Sequence, residues 1–187
     1  MPPSVRTVIE QAPEWRNAVF LEGIFERETG LPGRGRPSQT DLLAILALRD
    51  GNAVLGVEGK VDEPFGPLID EWLAGSEDKN RSDRIAGLCA TLGVDVKVVG
   101  GLFYQLFHRT CASIYEAKRF GYKRAIMLVH SFAETRASPE YPAWFSDFKR
   151  FSIATGMLVT NPNSISLPKF CDGIEVRLAW VSDRPSI

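Results

Sequence analysis

Three ionisable residues, Asp41, Glu58 and Lys60, interrupt two otherwise apolar stretches, Asp41-Leu-Leu-Ala-Ile-Leu-Ala-Leu-Arg49 and Asn52-Ala-Val-Leu-Gly-Val-Glu-Gly-Lys-Val61. Asp50-Gly51 between them signals a tight turn, so the two runs read as a buried antiparallel hairpin. With those two residues as the loop, paired residue numbers sum to 101, which sets Asp41 opposite Lys60 and Leu43 opposite Glu58. Alternation then puts Asp41, Glu58 and Lys60 on one face. Such a trio at the end of an apolar hairpin costs several kcal/mol unless its members serve each other or a bound cation. Two nearby carboxylates share a proton or hold a divalent metal, and Mg²⁺ suits one or two carboxylates completed by water and phosphate oxygens. Lys60 would position an attacking water, help to deprotonate it, or stabilise charge developing on a phosphate. The alternative is a strand-end ion pair between Glu58 and Lys60, with Asp41 capping the preceding loop.

The elements that must position this trio follow from periodicity. Trp15, Ala18, Val19 and Phe25 have helical spacing, which predicts an amphipathic helix over residues 13–28, with Pro13 in its first turn and Gly30 at its end. Glu22 falls within that apolar stripe and needs a partner; Glu26 lies on nearly the same line. Residues 31–40, rich in Pro and Gly, form a loop that carries Arg34 and Arg36. After the hairpin, two short helices are expected at 64–73 and 82–92, joined by a polar link over 75–81. A long helix follows at about 102–119, then a strand at 124–132, an amphipathic helix at 141–154 and a last strand at 173–181. Gln105, Arg109 and Glu116 fall on one polar stripe of the long helix. The order is that of one α/β domain over residues 1–187 built on a mixed sheet.

Asp41 followed by Glu58-Gly59-Lys60, at the base of a hairpin between helices, resembles the PD-(D/E)XK nuclease superfamily. The resemblance covers residues 14–132 and leaves 133–187 as a C-terminal extension of a helix and a strand. It implies a three-layer sandwich with a restriction-endonuclease-like αβββαβ core, a Mg²⁺ (or Mn²⁺) cofactor and phosphodiester hydrolysis of DNA or RNA. It implies Asp41, Glu58 and Lys60 as catalytic residues, and Asp41 and Glu58 as metal ligands assisted by Glu22 from the first helix. Gln105 with Arg109 is similar to a Gln-led helical motif of exonuclease-like members, which assigns both to the substrate; Arg36, on the loop, is a further substrate-binding candidate. The alternative function is a noncatalytic protein of the same fold that binds nucleic acid or protein.

Composition narrows the remaining classes. With 44% hydrophobic and 24% charged residues, the 187-residue chain can bury a core. No apolar run reaches the ~20 residues of a membrane span, and the first residues carry no apolar signal segment, so a cytoplasmic protein with no membrane partner is expected. Cys89, Cys111 and Cys171 lack Cys-x-x-Cys spacing and read as buried hydrophobes; His108 and His130 have no second metal-type ligand in a recognised spacing. The net charge of −1 divides unevenly, with residues 51–100 carrying four more acids than bases and 101–150 four more bases than acids. The length leaves little room for a recognition domain, so a site-specific nuclease would act as a homodimer or with a partner.

Overall fold

The structure, a computed structural model, describes residues 1–61, 63–74, 79–133 and 144–183. A short helix α1 (Pro3–Ile9) and a 3₁₀ turn (Pro13–Trp15) lead into strands β1 (Val19–Thr29), β2 (Ser38–Leu48) and β3 (Gly51–Lys60). Helices α2 (Ile69–Ala74), α3 (Lys79–Leu92) and α4 (Tyr104–Arg119) precede β4 (Arg124–Ser131), α5 (Phe145–Ala154), β5 (Ser164–Ile165), β6 (Lys169–Cys171) and β7 (Ile174–Ser182). The sheet is mixed and seven-stranded, in the order β1-β2-β3-β4-β7-β5 with β6 also on β7. The meander β1-β2-β3 is antiparallel, whereas β4 runs parallel to both β3 and β7.

Alternation sorts the strand residues between two apolar clusters. Leu43, Ile45, Val54, Met127, Val129 and Trp180 pack with residues of α3, α4 and α5. Ala44, Leu46, Leu55, Leu128 and Val181 pack with Val5, Val8 and Ile9 of α1 and with Trp15. The three cysteines are free and buried, as expected for small hydrophobes. Among the described residues no helix is long and apolar enough to cross a membrane.

The expected helix over 13–28 is a strand instead. Asn17 takes φ 60, a left-handed conformation that Asn tolerates but a continuing right-handed helix cannot contain. Beyond it, β-branched and aromatic residues extend along the free edge of β2, and the pairing satisfies backbone groups that a helix would leave unmade there. Trp15 and Ala18, which suggested the helical stripe, are buried from the 3₁₀ turn and the chain that follows it.

The hairpin forms with a different turn. Leu48 pairs with Gly51, so Arg49 and Asp50 form the loop and paired numbers sum to 99. Gly51 has φ 134, open only to glycine, which explains why glycine sits at the first pair and not within the loop. Arg124 Nη1 also donates to Asp50 Oδ1 at 2.7 Å and holds the turn against β4. The slip is two residues, the period of a strand, so every side chain keeps its expected face. Leu43 faces Gly56 instead of Glu58, and the register runs from Leu42↔Val57 towards Asp41 and Glu58.

The remaining expectations differ mainly at element ends. The short helices begin at Ile69 and Lys79, and the long one at Tyr104. Residues 75–78 of the expected polar link and 141–143 of the expected helix lie outside the described residues.

Candidate functional site

Packing of α4 onto β3 assembles the site. A Cβ on Gly56 would stand 2.2 Å from Ser113 Oγ, so glycine at this position allows the helix its close approach. Ser113, Arg109 and Gln105 repeat at i+4 along α4. Four helical residues rise about 6 Å, close to the ~6.6 Å of two strand residues. With Ser113 over Gly56, the stripe therefore meets Glu58 next. Arg109 Nε donates to Glu58 Oε2 at 2.5 Å and Gln105 Nε2 to Glu58 Oε1 at 2.6 Å.

The two other members of the expected trio complete the cluster. Lys60 Nζ lies 3.3 Å from Glu58 Oε1, 3.5 Å from the Pro64 carbonyl and 3.8 Å from Glu63, and 5.3 Å from the Phe65 ring centroid. Asp41 Oδ2 accepts the Gly59 N–H at 2.8 Å, and its Oδ1 is 3.9 Å from Arg109 Nη2. Glu58 and Lys60 are 3% and 4% exposed, whereas 40% of the Asp41 side chain meets solvent. The carboxylates thus differ: one is enclosed, the other opens outward. Beside them lies a pocket of about 360 Å³ lined by Lys60, Pro64, Phe65, Gln105, His108 and Arg109, among others.

Burial pushes the Glu58 carboxyl above its ordinary range and the Asp41 charge adds to this, while Arg109 and Lys60 pull the other way. His108 shifts down to about 3, first through burial and then through the Arg109 and Arg84 charges, so it is neutral at physiological pH. Its Nδ1 is 2.8 Å from Ser38 Oγ, which also accepts from Arg109 Nη1 at 3.1 Å.

The structure thus brings together Asp41, Glu58, Lys60, Gln105 and Arg109. Glu22 is not with them. It is exposed on β1 beside a register shift and pairs with Ile45, four residues or about 13 Å along β2 from Asp41. Its expected place rested on a helix that is a strand. Glu26, also exposed, lies between the pairs Phe25↔Leu42 and Arg27↔Thr40, alongside Asp41 in register, with φ 50. Glu116, expected on the same stripe as Gln105 and Arg109, turns to β1 and bonds Arg27 and Thr29. Arg36 is exposed on the loop before β2, where its carbonyl accepts from Arg84 at 2.7 Å.

Two contributors were not singled out from the sequence. Ser38 carried no signal, since its role depends on where β2 begins. His108 follows Tyr104 at i+4 on the face that carries Gln105 and Arg109, a spacing that could have marked it. Among the described residues no group of three or more His, Cys, Asp or Glu is placed to share a metal ion. An ion here would have the two carboxylates Asp41 and Glu58, both of the oxygen type that hard divalent cations take.

Residues 1–185 match a family described as a domain of unknown function, DUF6946. No curated protein and no solved structure matches the chain.

Proposed function

The chain belongs to the DUF6946 family, and on that footing we propose that it is a metal-dependent phosphodiester hydrolase acting on nucleic acid, a divergent relative of the PD-(D/E)XK nucleases. The observation that carries this reading is the gathering of Asp41, Glu58 and Lys60 on one face at the end of β2 and β3, beside an open pocket. The element order supports it: α1, the meander β1-β2-β3, the helices α2, α3 and α4, and β4 parallel beside β3 are the elements that a restriction-endonuclease-like αβββαβ core with two added helices would have.

The donor set fits Mg²⁺ or Mn²⁺ in type and number, with Asp41 and Glu58 as the protein ligands. When bound, such an ion supplies Lewis-acid stabilisation of charge on a phosphate. The chain's own groups do the rest. Gln105 fixes the orientation of Glu58, and Lys60 holds a proton donor at the pocket wall, where it can position water or meet charge developing on an oxygen. Arg109 offers the planar fork that suits a phosphate. A homodimer is the form in which a chain of this size would cut both strands of a duplex, and a cytoplasmic setting belongs to the same reading.

One observation favours a second reading. Arg109 reaches both carboxylates, and with Lys60 it offsets the charges of Asp41 and Glu58 without any ion. A noncatalytic protein of this fold, binding nucleic acid or protein, would keep such a network as structure.

The deciding experiment measures cleavage of single- and double-stranded DNA and RNA with Mg²⁺ or Mn²⁺, for wild type, Lys60→Ala and Glu58→Ala. Both variants are expected to be inactive, with Mn²⁺ binding weakened by Asp41→Asn and Glu58→Gln. Activity that survives both alanine substitutions rejects the assigned roles, and absence of metal binding to the wild type selects the noncatalytic reading.

A further inference from the structure

A second pocket, also about 360 Å³, adjoins the site and shares Tyr104 and His108 with it. Its wall brings four arginines together, Arg34 and Arg36 from the loop before β2, and Arg81 and Arg84 from α3. Among the described residues no Asp or Glu lines it. Ser38, which receives Arg109 Nη1, is also part of the wall, so the arginine pocket begins where the carboxylate cluster ends.

Four like charges in one concavity repel unless something neutralises them, and internal partners do so only partly. Arg84 is 5% exposed, donates Nη1 to the Arg36 carbonyl, and leaves its buried Nε without a hydrogen-bond partner. A guanidinium NH buried in this way costs free energy until an acceptor reaches it. Arg81 donates to the Trp72 carbonyl and stacks on the Trp72 ring at 5.1 Å, and that ring stacks on Tyr104 at 4.1 Å. These contacts fix the position of the Arg81 charge without cancelling it. Arg34 and Arg36 are exposed and make no side-chain ion pair among the described residues. His108, held neutral, adds a ring nitrogen and no further charge. The aromatic faces are occupied by one another, which leaves the pocket suited to an anion rather than a base.

We infer that this arginine pocket binds a phosphate group of a nucleic-acid strand and so fixes how far the strand reaches past Asp41 and Glu58. The polymer is taken from the function proposed above; the anion preference stands on the pocket alone. A phosphate monoester at a strand end and a diester within the strand present the same chemistry, and the guanidinium fork matches either.

Binding is measured in EDTA, which removes any dependence on metal or cleavage. Inorganic phosphate is titrated by calorimetry into wild type, Arg34→Ala/Arg36→Ala, Arg84→Met and Lys123→Ala, an exposed cation at the far end of β4, with acetate as the competing anion. Phosphate is expected to bind wild type and Lys123→Ala alike and to bind each arginine variant roughly tenfold or more weakly. The exposed double variant keeps the test valid should Arg84→Met fail to fold. Single-stranded oligonucleotides with a 5′-phosphate, a 3′-phosphate or neither then assign the source. A preference for one phosphorylated end, lost in the double variant, identifies a terminal phosphate; equal binding of all three, weakened in the double variant, identifies an internal one. Phosphate binding unchanged in both arginine variants, or acetate binding as tightly as phosphate, overturns the inference. Failure of cleavage with phosphate binding intact would reject only the hydrolytic reading.

Discussion

Replacing Glu58 by Gln distinguishes an acid held ready for chemistry from a structural ion pair. Gln closely matches protonated Glu in shape, so the variant fixes the neutral form. Burial outweighs Arg109 and Lys60 and raises the Glu58 pKa, which means the folded protein favours the neutral carboxyl more than the unfolded chain does. A group raised in this sense contributes stability that is present below its unfolded pKa and is lost as pH rises through its folded pKa. As pH rises through the folded pKa the wild type loses that contribution, whereas Glu58→Gln keeps it. The partners are not stranded: Arg109 retains Ser38 at 3.1 Å and Asp41 at 3.9 Å, and Lys60 retains the Pro64 carbonyl at 3.5 Å and Glu63 at 3.8 Å. The variant should therefore lie within about 1 kcal/mol of wild type at pH 7, a Tm difference of at most about 4 °C. Removing one member of a stabilising buried ion pair costs about 3–5 kcal/mol, or roughly 6–20 °C for a chain of this size. Thermal and urea unfolding of both proteins from pH 4 to 8 reads the difference, and stability of the variant relative to wild type should increase across that range. A loss of 3 kcal/mol or more at pH 7 that shrinks towards pH 4 would show the carboxylate to be net stabilised by its cations and would refute the reasoning.

Three further outcomes follow from the same geometry. Lys60→Met should lower the Mg²⁺-supported cleavage rate by about 10²-fold or more while the protein stays folded, as read by initial rates alongside circular dichroism. Gly56→Ala should destabilise by roughly 1–3 kcal/mol because its Cβ would meet Ser113 Oγ at 2.2 Å, and Ser113→Ala in the same chain should recover most of the loss; denaturant midpoints of the single and double variants measure the coupling. His108, at about 3 when folded against 6.5 ordinarily, contributes stability that is present above 6.5 and lost as pH falls towards 3, on the order of a few kcal/mol in full. His108→Gln should therefore flatten the stability profile over that interval.

The hairpin was legible because its evidence is local. Two apolar runs, a turn signal and a period of two place Asp41, Glu58 and Lys60 on one face, and that conclusion outlived the wrong loop since a two-residue slip preserves parity. The long helix and its Gln105 and Arg109 stripe were equally readable from spacing. Residues 13–28 misled because side chains at helical spacing do not reveal a left-handed Asn17 or an open edge on β2 waiting to be paired. With the helix went the assignment of Glu22, whose position depended on it.

Only tertiary packing decided how the charges are shared. Nothing local to Arg109 fixes its bond to Glu58 across 51 positions of sequence; that bond depends on a glycine in β3 that lets α4 come close. The arginine pocket has the same origin, with two residues from a loop and two from a helix nearly fifty positions later. Alternation and periodicity determine which way a side chain points from its own element. Which charges it meets, and how dry their surroundings are, depends on other elements packed against it.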